Sequence, residues 1–373
     1  MNLEQNEEQR ALRDTVRRFL AERASVADHV RPMLDDPTGT DPNVWQALAD
    51  LGATGVLIPA EFGGAGMSMV DATIVAEQIG AGLLPDPWLS SAVAAPRAIA
   101  RFNANAAAAD LLSGLADGAL IATVGPLGPS SLRAIERPAG HVLAGELGVV
   151  ADVAAADVLL AVVERDGDAA LYRVDTSAPE LSVTPLRGID QTRRSFHVGL
   201  DNAPALLLGT TEPQAVTALI DDVLVASAAD ALGAAQRLVD MVVDYAKTRV
   251  QFGQPIGSFQ SVAHLCVDMY ETVELARSGL IHAAWAADDA DPDERHLAAI
   301  RLKGFAARLA TVGDTAIQVF GGIGFTWEHD AHLYLKRLLS WSALLGHADP
   351  YLEEVGDLFA KSAINTTSRI TNA

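Results

Sequence analysis

Two short stretches decide how this chain is read: YAKTRVQFGQPIGSFQ (Tyr245–Gln260) and QVFGGIGFTWE (Gln318–Glu328). Each begins where a segment with helical periodicity ends, and together they offer a guanidinium, amides and glycines to a phosphate. The planar fork of donors on Arg249 suits a pyrophosphate, and Gly321 and Gly322 let the backbone approach a ligand closely. A glycine-rich loop alone usually marks a turn, so the specific signal is the pairing of the two stretches.

The order and spacing of these stretches resemble the C-terminal domain of the acyl-CoA dehydrogenase family. In that family an Arg-x-x-Phe-Gly element and a Gln-x-x-Gly-Gly element clasp the FAD of a neighbouring subunit. The resemblance therefore implies an oligomer with at least two subunits. It also implies a set of residues on the pyrophosphate and adenine side of FAD: Arg249, Gln251, Phe252, Phe259, Gln260, Gln318, Gly321 and Gly322.

A third segment supports this resemblance from the N-terminal part of the chain. The stretch IPAEFGGAG, residues 58–66, precedes a helix that is expected to begin near Val70. Its Pro-x-x-x-Gly-Gly-x-Gly pattern is similar to a loop at the same position in acyl-CoA dehydrogenases. A plain connector between two helices is the alternative interpretation, and the order of the three matches favours the family.

Composition narrows the class of protein. At 373 residues the chain exceeds one typical core, so two or three packed subdomains are expected. The net charge of −21 argues against a nucleic-acid partner, which would require an excess of Lys and Arg.

Because Cys266 is the only cysteine, no intramolecular disulfide can form, which fits a reducing compartment. A polar N-terminus and the absence of a long apolar run predict a soluble cytoplasmic protein with no membrane contact.

The hydrophobic periodicity predicts an α+β fold, mainly α, in three parts. Residues 1–118 read as an N-terminal helical domain, residues 119–210 as a small middle β domain, and residues 211–373 as a C-terminal four-helix bundle. In the β part, short apolar runs separated by Asp, Gly and Pro predict antiparallel strands, with a hairpin at residues 166–168. The predicted strands are 120–124, 158–163, 171–174 and 195–200, and the predicted C-terminal helices are 217–248, 260–288, 292–320 and 331–345.

The middle domain departs from the family pattern. Family members carry a Thr-Glu-x-x-x-Gly-Ser-Asp stretch and a later Trp-Ile-Thr/Ser, which hold the flavin ring. The corresponding segments here are residues 123–128 and 148–151, and neither keeps the motif. No tryptophan occurs between Trp88 and Trp285. This β domain is therefore predicted not to hold a flavin ring in the usual way.

The catalytic base of the family is also missing from its expected positions. Desaturation of an acyl-CoA needs a carboxylate with a raised pKa to remove the α-proton. Where many members place a glutamate this chain has Leu345, and at the alternative position it has Val223. The neighbouring Asp222 could substitute only if the helix were shifted. Asp230, in an apolar small-residue setting, is the remaining candidate, with burial expected to raise its pKa.

The segment WEHDAH, residues 327–332, allows two interpretations. His329 and His332 are three residues apart and could share a helical face, as metal ligands do. No thiolate or carboxylate set completes a known metal-ligand spacing, so no metal is predicted. A helix start is favoured, with Glu328 and Asp330 near its positive end.

Taken together, the resemblance implies an FAD-dependent acyl-CoA dehydrogenase subunit that catalyses α,β-desaturation of a CoA thioester. The missing motifs resemble the divergent smaller subunit of actinobacterial heteromeric enzymes, which act on CoA esters of bulky acids such as steroid side chains. The implied partners are the acyl-CoA substrate, an electron-transfer flavoprotein as acceptor, and a homologous subunit in a heterotetramer. Two alternatives stay open: a self-sufficient homo-oligomer with Asp230 as base, and a non-catalytic scaffolding subunit.

Overall fold

A computed structural model describes residues 4–138, 140–165 and 167–371 of the chain. The N-terminal part is helical. Two of its helices begin with a capping box. The side chain of Asn6 accepts from the backbone N–H of Gln9, and the side chain of Ser68 accepts from the backbone N–H of Asp71. In each pair the second side chain accepts from the backbone N–H of the first residue. Two π-helical segments also occur, at Val26–Val30 and Leu89–Ala94. The α-helices are α1 (Glu7–Arg23), α2 (Arg31–Met33), α3 (Pro42–Asp50), α4 (Met69–Ala81), α5 (Ala95–Arg101) and α6 (Ala109–Ala116).

The middle part forms one seven-stranded sheet. Its strands are β1 (Ala122–Gly125), β2 (Arg133–Arg137), β3 (Gly140–Ala151), β4 (Val158–Arg165), β5 (Asp168–Asp175), β6 (Leu181–Leu186) and β7 (Ser195–Thr211). The order is β1-β4-β5-β7-β3-β2, and β6 also pairs with β7. The long strand β7 joins the two halves, because its early residues pair with β3 and β6 and its last residues pair with β5.

The C-terminal part is a bundle of long helices. A two-stranded hairpin, β8 (Val250–Gln251) and β9 (Gln254–Pro255), separates its first two helices. The helices are α7 (Gln214–Thr248), α8 (Gln260–Asp289), α9 (Pro292–Gly304), α10 (Ala306–Phe320), α11 (Ala331–Ala343) and α12 (Ala348–Thr371). Across the described residues, no helix has both the length and the apolar character needed to cross a membrane.

The α+β, mainly α, architecture predicted from the sequence is confirmed, with corrections in detail. Strands β2, β3 and β6 lack a continuous apolar run and were not predicted. Strand β1 pairs with β4 in parallel, so the sheet is not purely antiparallel. The helix predicted for residues 292–320 is broken at Phe305, and α12 is a separate helix. The predicted hairpin joins β4 to β5, although Asp166 itself lies outside the described residues.

Helices α4 and α7 cross with their backbones in contact, and two glycines permit it. A Cβ added at Gly80 would lie 1.8 Å from the carbonyl oxygen of Asp230. A Cβ added at Gly233 would lie 1.8 Å from the carbonyl oxygen of Glu77. Helix–helix contacts this close require residues without side chains. The crossing therefore fixes the N-terminal helices against the bundle and sets the position of Asp230.

The apolar cores show how the parts are joined. One cluster contains residues of α1, α3, α4 and the bundle together, so these helices share a single core. A second cluster packs α5 and α6 against β1, β4 and the start of α7, with Phe102 and Leu219 fully buried. A third lies on the other face of the sheet, around Tyr172 and Phe196. Helix α7 contributes to two of the three, which makes it the central element of the fold.

We expect Gly233→Ala to destabilise the protein by about 1–3 kcal/mol or more, because inserting a group into a filled core usually costs that amount. The matched control is Gly356→Ala on α12, where an added Cβ meets no atom within 4 Å. That control should gain about 1 kcal/mol, the difference in helix propensity between glycine and alanine. Urea unfolding of both variants measures this, and equal midpoints for the two would contradict the close crossing.

Candidate functional site

The hairpin between α7 and α8 presents an exposed aromatic side chain on a strained turn. Phe252 and Gly253 both have positive φ, 50° and 80°, as a two-residue hairpin turn of the primed type requires. Such a conformation is uncommon for a bulky residue and occurs mostly where function demands it. Phe252 is 91% exposed, and its ring contacts that of Phe259 edge-on, with centroids 6.0 Å apart. The turn therefore holds an aromatic ring outward from the chain.

The glycine loop after α10 is open to its surroundings. Gly321 ends the helix with φ +65°, a conformation that favours glycine. A Cβ added at Gly321 or Gly322 would meet no atom of this chain within 4 Å. Steric contacts within the chain therefore do not account for a glycine at position 322. Two adjacent glycines that are open in this way suit close approach by a ligand or a partner chain.

The fold brings the hairpin and the glycine loop to one end of the bundle. The ring of Tyr245 in the last turn of α7 packs on that of Phe320 in the last turn of α10, with centroids 5.1 Å apart. The side chains of Arg249, Gln260 and Gln318 are exposed and have no hydrogen-bond partner among the described residues. The predicted cofactor residues thus lie on connected elements, with a free guanidinium and free amides. Hereafter we call this end of the bundle the clasp.

Apolar side chains surround the clasp on the outside of the protein. Phe325 is 76% exposed, and the other large exposed side chains nearby in the sequence are Val250, Ile323 and Trp327. A group of exposed aromatic and aliphatic residues of this size is typical of an interaction surface. The clasp is therefore built to be covered, by a ligand, by another chain, or by both.

The residues of the clasp fit one part of FAD, the pyrophosphate and adenosine. An unpaired guanidinium is the preferred partner for a pyrophosphate, glycines admit close approach of its oxygens, and the exposed aromatics can cover apolar parts of the cofactor. The middle domain differs at the positions that correspond to the family's flavin-ring motifs. On the sheet face where the resemblance places the flavin ring, Val149 is 64% exposed and Ala151 is exposed, and neither offers a polar side chain. The hydroxyl of Thr123 is buried and donates to the carbonyl of Ala151 at 2.6 Å.

Asp230 lies in a buried ion-pair network rather than in an apolar cavity. Arg337 of α11 donates to both of its carboxylate oxygens, at 2.8 and 2.9 Å, and Arg193 of the β6–β7 loop contacts it from the other side. Arg337 also donates to Asp190 at 2.8 Å. Two guanidinium groups stabilise the charged carboxylate and occupy its oxygens, so this geometry does not favour a base. Asp230 is also 19 residues before Arg249, which places it roughly 28 Å along the helix from the clasp at 1.5 Å per residue.

Asp222, the other carboxylate considered from the sequence, is likewise paired. It is fully buried and accepts from Arg101 at 2.9 and 3.0 Å and from Arg97 at 2.9 Å. Arg97 also pairs with Asp288 of α8 at 2.7 Å. These contacts tie α5 to the bundle. Asp222 is therefore held by two cations of its own chain, as Asp230 is.

The α11–α12 turn, where many family members carry the base, has no acidic side chain at Leu345. The carbonyl of Leu345 accepts from the Tyr351 hydroxyl at 2.7 Å. The buried Lys303 donates to the carbonyls of Trp341 and Ser342 at 2.7 and 3.1 Å, which caps the end of α11. Burial lowers the pKa of Lys303 to about 8. The turn is thus held by neutral and cationic groups rather than by a carboxylate.

His296 forms a bridge that sequence reasoning did not anticipate. One ring nitrogen lies 2.9 Å from the buried Asp221 of α7, and the other lies 3.1 Å from Glu354 of α12. The hydrogen bond to Asp221 is the main cause that raises the pKa of His296 to about 9. The charged imidazole between two carboxylates fastens α12 to the rest of the bundle.

The arginines that pair the two aspartates also went unpredicted. Arg97 and Arg101 are four residues apart, so they share one face of α5, and this spacing was a usable signal. No comparable spacing connects Arg193 or Arg337 to Asp230, because these contacts are between residues far apart in the sequence. The predicted helix start after Trp327 is present at α11, with Asp330 before its first residue. Within the described residues, no three His, Cys, Asp or Glu side chains form a metal-binding group.

Two models of protein families match this chain. The family model "Acyl-CoA dehydrogenase, N-terminal domain" matches residues 6–119, and "Acyl-CoA dehydrogenase, C-terminal domain" matches residues 220–354. The chain belongs to the acyl-CoA dehydrogenase family. It is similar to acyl-CoA dehydrogenase IpdE2 of Mycolicibacterium smegmatis, with 35% identity over 91% of this chain and 95% of that protein.

Two solved structures share the fold of this acyl-CoA dehydrogenase family member closely. The Tcur3481–Tcur3483 steroid acyl-CoA dehydrogenase superposes with a TM-score of 0.87 and 30% identity, covering 96% of this chain and 99% of that chain. The ChsE4–ChsE5 complex of Mycobacterium tuberculosis gives 0.87 and 26%, with the same coverage. Proteins of this fold have also been solved with their cofactor, among them PigA with FAD and proline, at 20% identity and a TM-score of 0.83.

We expect Asp230→Ala to destabilise the folded protein by about 3–5 kcal/mol, because it leaves two buried guanidinium groups without their shared partner. Asp240→Ala, on the exposed side of the same helix, is the matched control and should change the unfolding midpoint little. Urea unfolding at neutral pH measures both. If Asp230→Ala is as stable as the control, the network does not carry the role assigned to it.

The His296 bridge predicts a pH dependence. Its pKa is about 9 in the folded protein and 6.5 ordinarily, so its stabilising contribution is fully present below about pH 6.5 and is lost as the pH rises through 9. Urea midpoints from about pH 6 to about pH 10 should therefore fall more steeply for the native protein than for His296→Leu. Parallel curves for the two proteins would show that the bridge does not contribute.

Proposed function

We propose that this chain is one subunit of a heteromeric FAD-dependent acyl-CoA dehydrogenase, in which it contributes the pyrophosphate and adenosine side of a shared FAD site. The reaction proposed for the assembly is α,β-desaturation of a CoA thioester. The observation that carries the proposal is the contrast between a clasp with free donors and two flavin-ring motif positions on the sheet, Val149 and Ala151, whose exposed side chains are apolar. One chain thus has one half of a flavin site.

The clasp supports the cofactor assignment. Bound FAD would supply the acceptor for the hydride that leaves the β-carbon of the acyl group, and this chain's residues would hold the cofactor in place. Arg249 would pair with the pyrophosphate through charge-assisted hydrogen bonds. Gln318 and the backbone of Gly321 and Gly322 would lie against the same phosphates. Because these groups point outward, the cofactor they hold would be one bound mainly by a partner subunit.

The missing base supports the heteromer. Leu345 replaces the usual glutamate, and the buried aspartates considered from the sequence are paired with arginines of this chain. A homo-oligomer would repeat these features at every site. A homologous partner with a flavin-ring motif and a glutamate would supply what is lacking. We therefore propose that Asp230 has a structural role and is not the base.

The relatives indicate the class of substrate and acceptor. A steroid acyl-CoA dehydrogenase with two named components and the ChsE4–ChsE5 complex are both close in fold and at least 26% identical. Their names describe assemblies of two components. We infer a CoA ester of a bulky acid, such as a steroid side chain, as the substrate, and an electron-transfer flavoprotein as the electron acceptor. Both the substrate class and the electron acceptor are inferred from relatives of this chain.

The test is the flavin content of the chain co-purified with its partner subunit. Arg249→Met removes a charged bidentate donor, so FAD should bind about 10–100-fold more weakly, from about 1.5–3 kcal/mol per charged hydrogen bond. Arg133→Met is the matched control, because Arg133 is an exposed arginine on β2 with no partner among the described residues. It should leave the flavin content unchanged.

The scaffolding alternative gives the opposite result. If Arg249→Met leaves both flavin content and turnover at the level of the control, the chain does not contact the cofactor. Arg249→Lys separates charge from geometry, because it keeps the cation and loses the planar fork. It should show an intermediate loss of flavin.

A further inference from the structure

The glycine loop of the clasp is supported from behind by an aromatic contact series. The ring of Phe320, the residue before Gly321, lies between Tyr245 and His329, with centroid distances of 5.1 and 4.4 Å. Tyr245 belongs to the helix that carries the hairpin, and His329 belongs to the segment that begins α11. A shift of the His329 ring would therefore move Phe320, and with it the start of the loop.

The His329 ring is itself fixed by one hydrogen bond. Its Nδ1 accepts from the backbone N–H of Ala331, the first residue of α11, at 3.1 Å. An imidazole nitrogen can accept only while it carries no proton, so this bond requires the neutral ring. A proton on Nδ1 would face the N–H groups at a helix N-terminus, where positive charge is disfavoured.

We propose that His329 is a positioning residue for the cofactor clasp: in its neutral form it holds Phe320 and the Gly321–Gly322 loop in place, and protonation releases them. The consequence for the cofactor rests on the proposed function, whereas the effect on the loop does not. The segment WEHDAH, which binds no metal in the interpretation above, would then act through the packing and the tautomer of one histidine.

The combined effect of the groups around His329 is to lower its pKa. Burial is the largest cause that lowers the pKa of His329, and Arg31 acts in the same direction, while Asp330 opposes it. Asp330 is itself paired with Arg31 at 2.7 Å, which weakens its opposition. The hydrogen bond is thus complete above the ordinary histidine pKa and is lost as the pH falls below it.

Hydrogen exchange of the purified full chain tests the proposal without cofactor. The readout is the protection of residues 321–325, corrected for the intrinsic pH dependence of exchange, at about pH 7.5 and about pH 5. In the native protein, protection should fall about fivefold at the lower pH, the size expected for loss of one hydrogen bond. His329→Phe keeps a ring and loses the acceptor, so at neutral pH it should match the acidified native protein.

Two further variants separate positioning from general loss of structure. His329→Asn keeps an acceptor near the position of Nδ1 but does not titrate, so its loop protection should be independent of pH. His347→Asn, at an exposed histidine after α11, should keep the pH response of the native protein. The proposal is overturned if His329→Phe protects the loop as well as the native protein, or if His329→Asn keeps the native pH response.

The proposed function fails in a different way. In the assembled complex, flavin retained by Arg249→Met would contradict the shared FAD site, whatever the loop does. If the loop responds as expected and His329→Phe also lowers flavin content relative to His347→Asn, both the positioning role and its consequence for the cofactor are supported. Unchanged flavin content in His329→Phe would overturn that consequence.

Discussion

The buried guanidinium of Arg337 is the interaction on which the arrangement of the three parts depends. It binds Asp190 of the β6–β7 loop and Asp230 of α7 from its own position on α11. Arg193 completes the network and also donates to the carbonyl of Leu84 after α4. Sheet, bundle and N-terminal helices thus meet at one set of charges. Because unpaired buried charges are costly, these charges specify how the parts dock.

This use of acidic residues has a functional consequence. The two carboxylates considered as a catalytic base, Asp222 and Asp230, are engaged by cations of the same chain. Among the described residues, the side chains of Arg249, Gln260 and Gln318 are free, and all three lie at the outward-facing clasp. A chain with donors on its surface, and with both of these aspartates paired, is suited to complete a site on another subunit. This placement of donors and paired carboxylates is the basis for proposing that two subunits share one cofactor site.

The sequence predicted most of the long helices, because helical periodicity is local, and it located the two segments of the clasp, whose role in cofactor binding stays a prediction. The Arg249 hairpin is a two-residue turn between short strands, and the Gly321 loop follows directly on a helix end, so each is encoded within a few residues. The strands β2 and β6 were missed because they are mostly exposed and lack an apolar run. Strand β3 was missed for a related reason, since alternating burial along it is interrupted by register shifts against β7.

The state of the candidate base could not be predicted from the sequence. The apolar setting of Asp230 in α7 indicated a desolvated carboxylate, and burial is indeed nearly complete. The partners that decide its chemistry come from positions 37 residues before it and 107 residues after it. Periodicity carries no information about such contacts. Only the packing of α7, α11 and the β6–β7 loop brings the three side chains together.

The central claim is that this chain holds half of a flavin site. The most direct measurement is the visible absorption spectrum of the protein purified alone and then with its homologous partner subunit. The account predicts a colourless protein alone and about one FAD per pair of chains in the complex. Flavin bands near one per chain from the protein purified alone would contradict it.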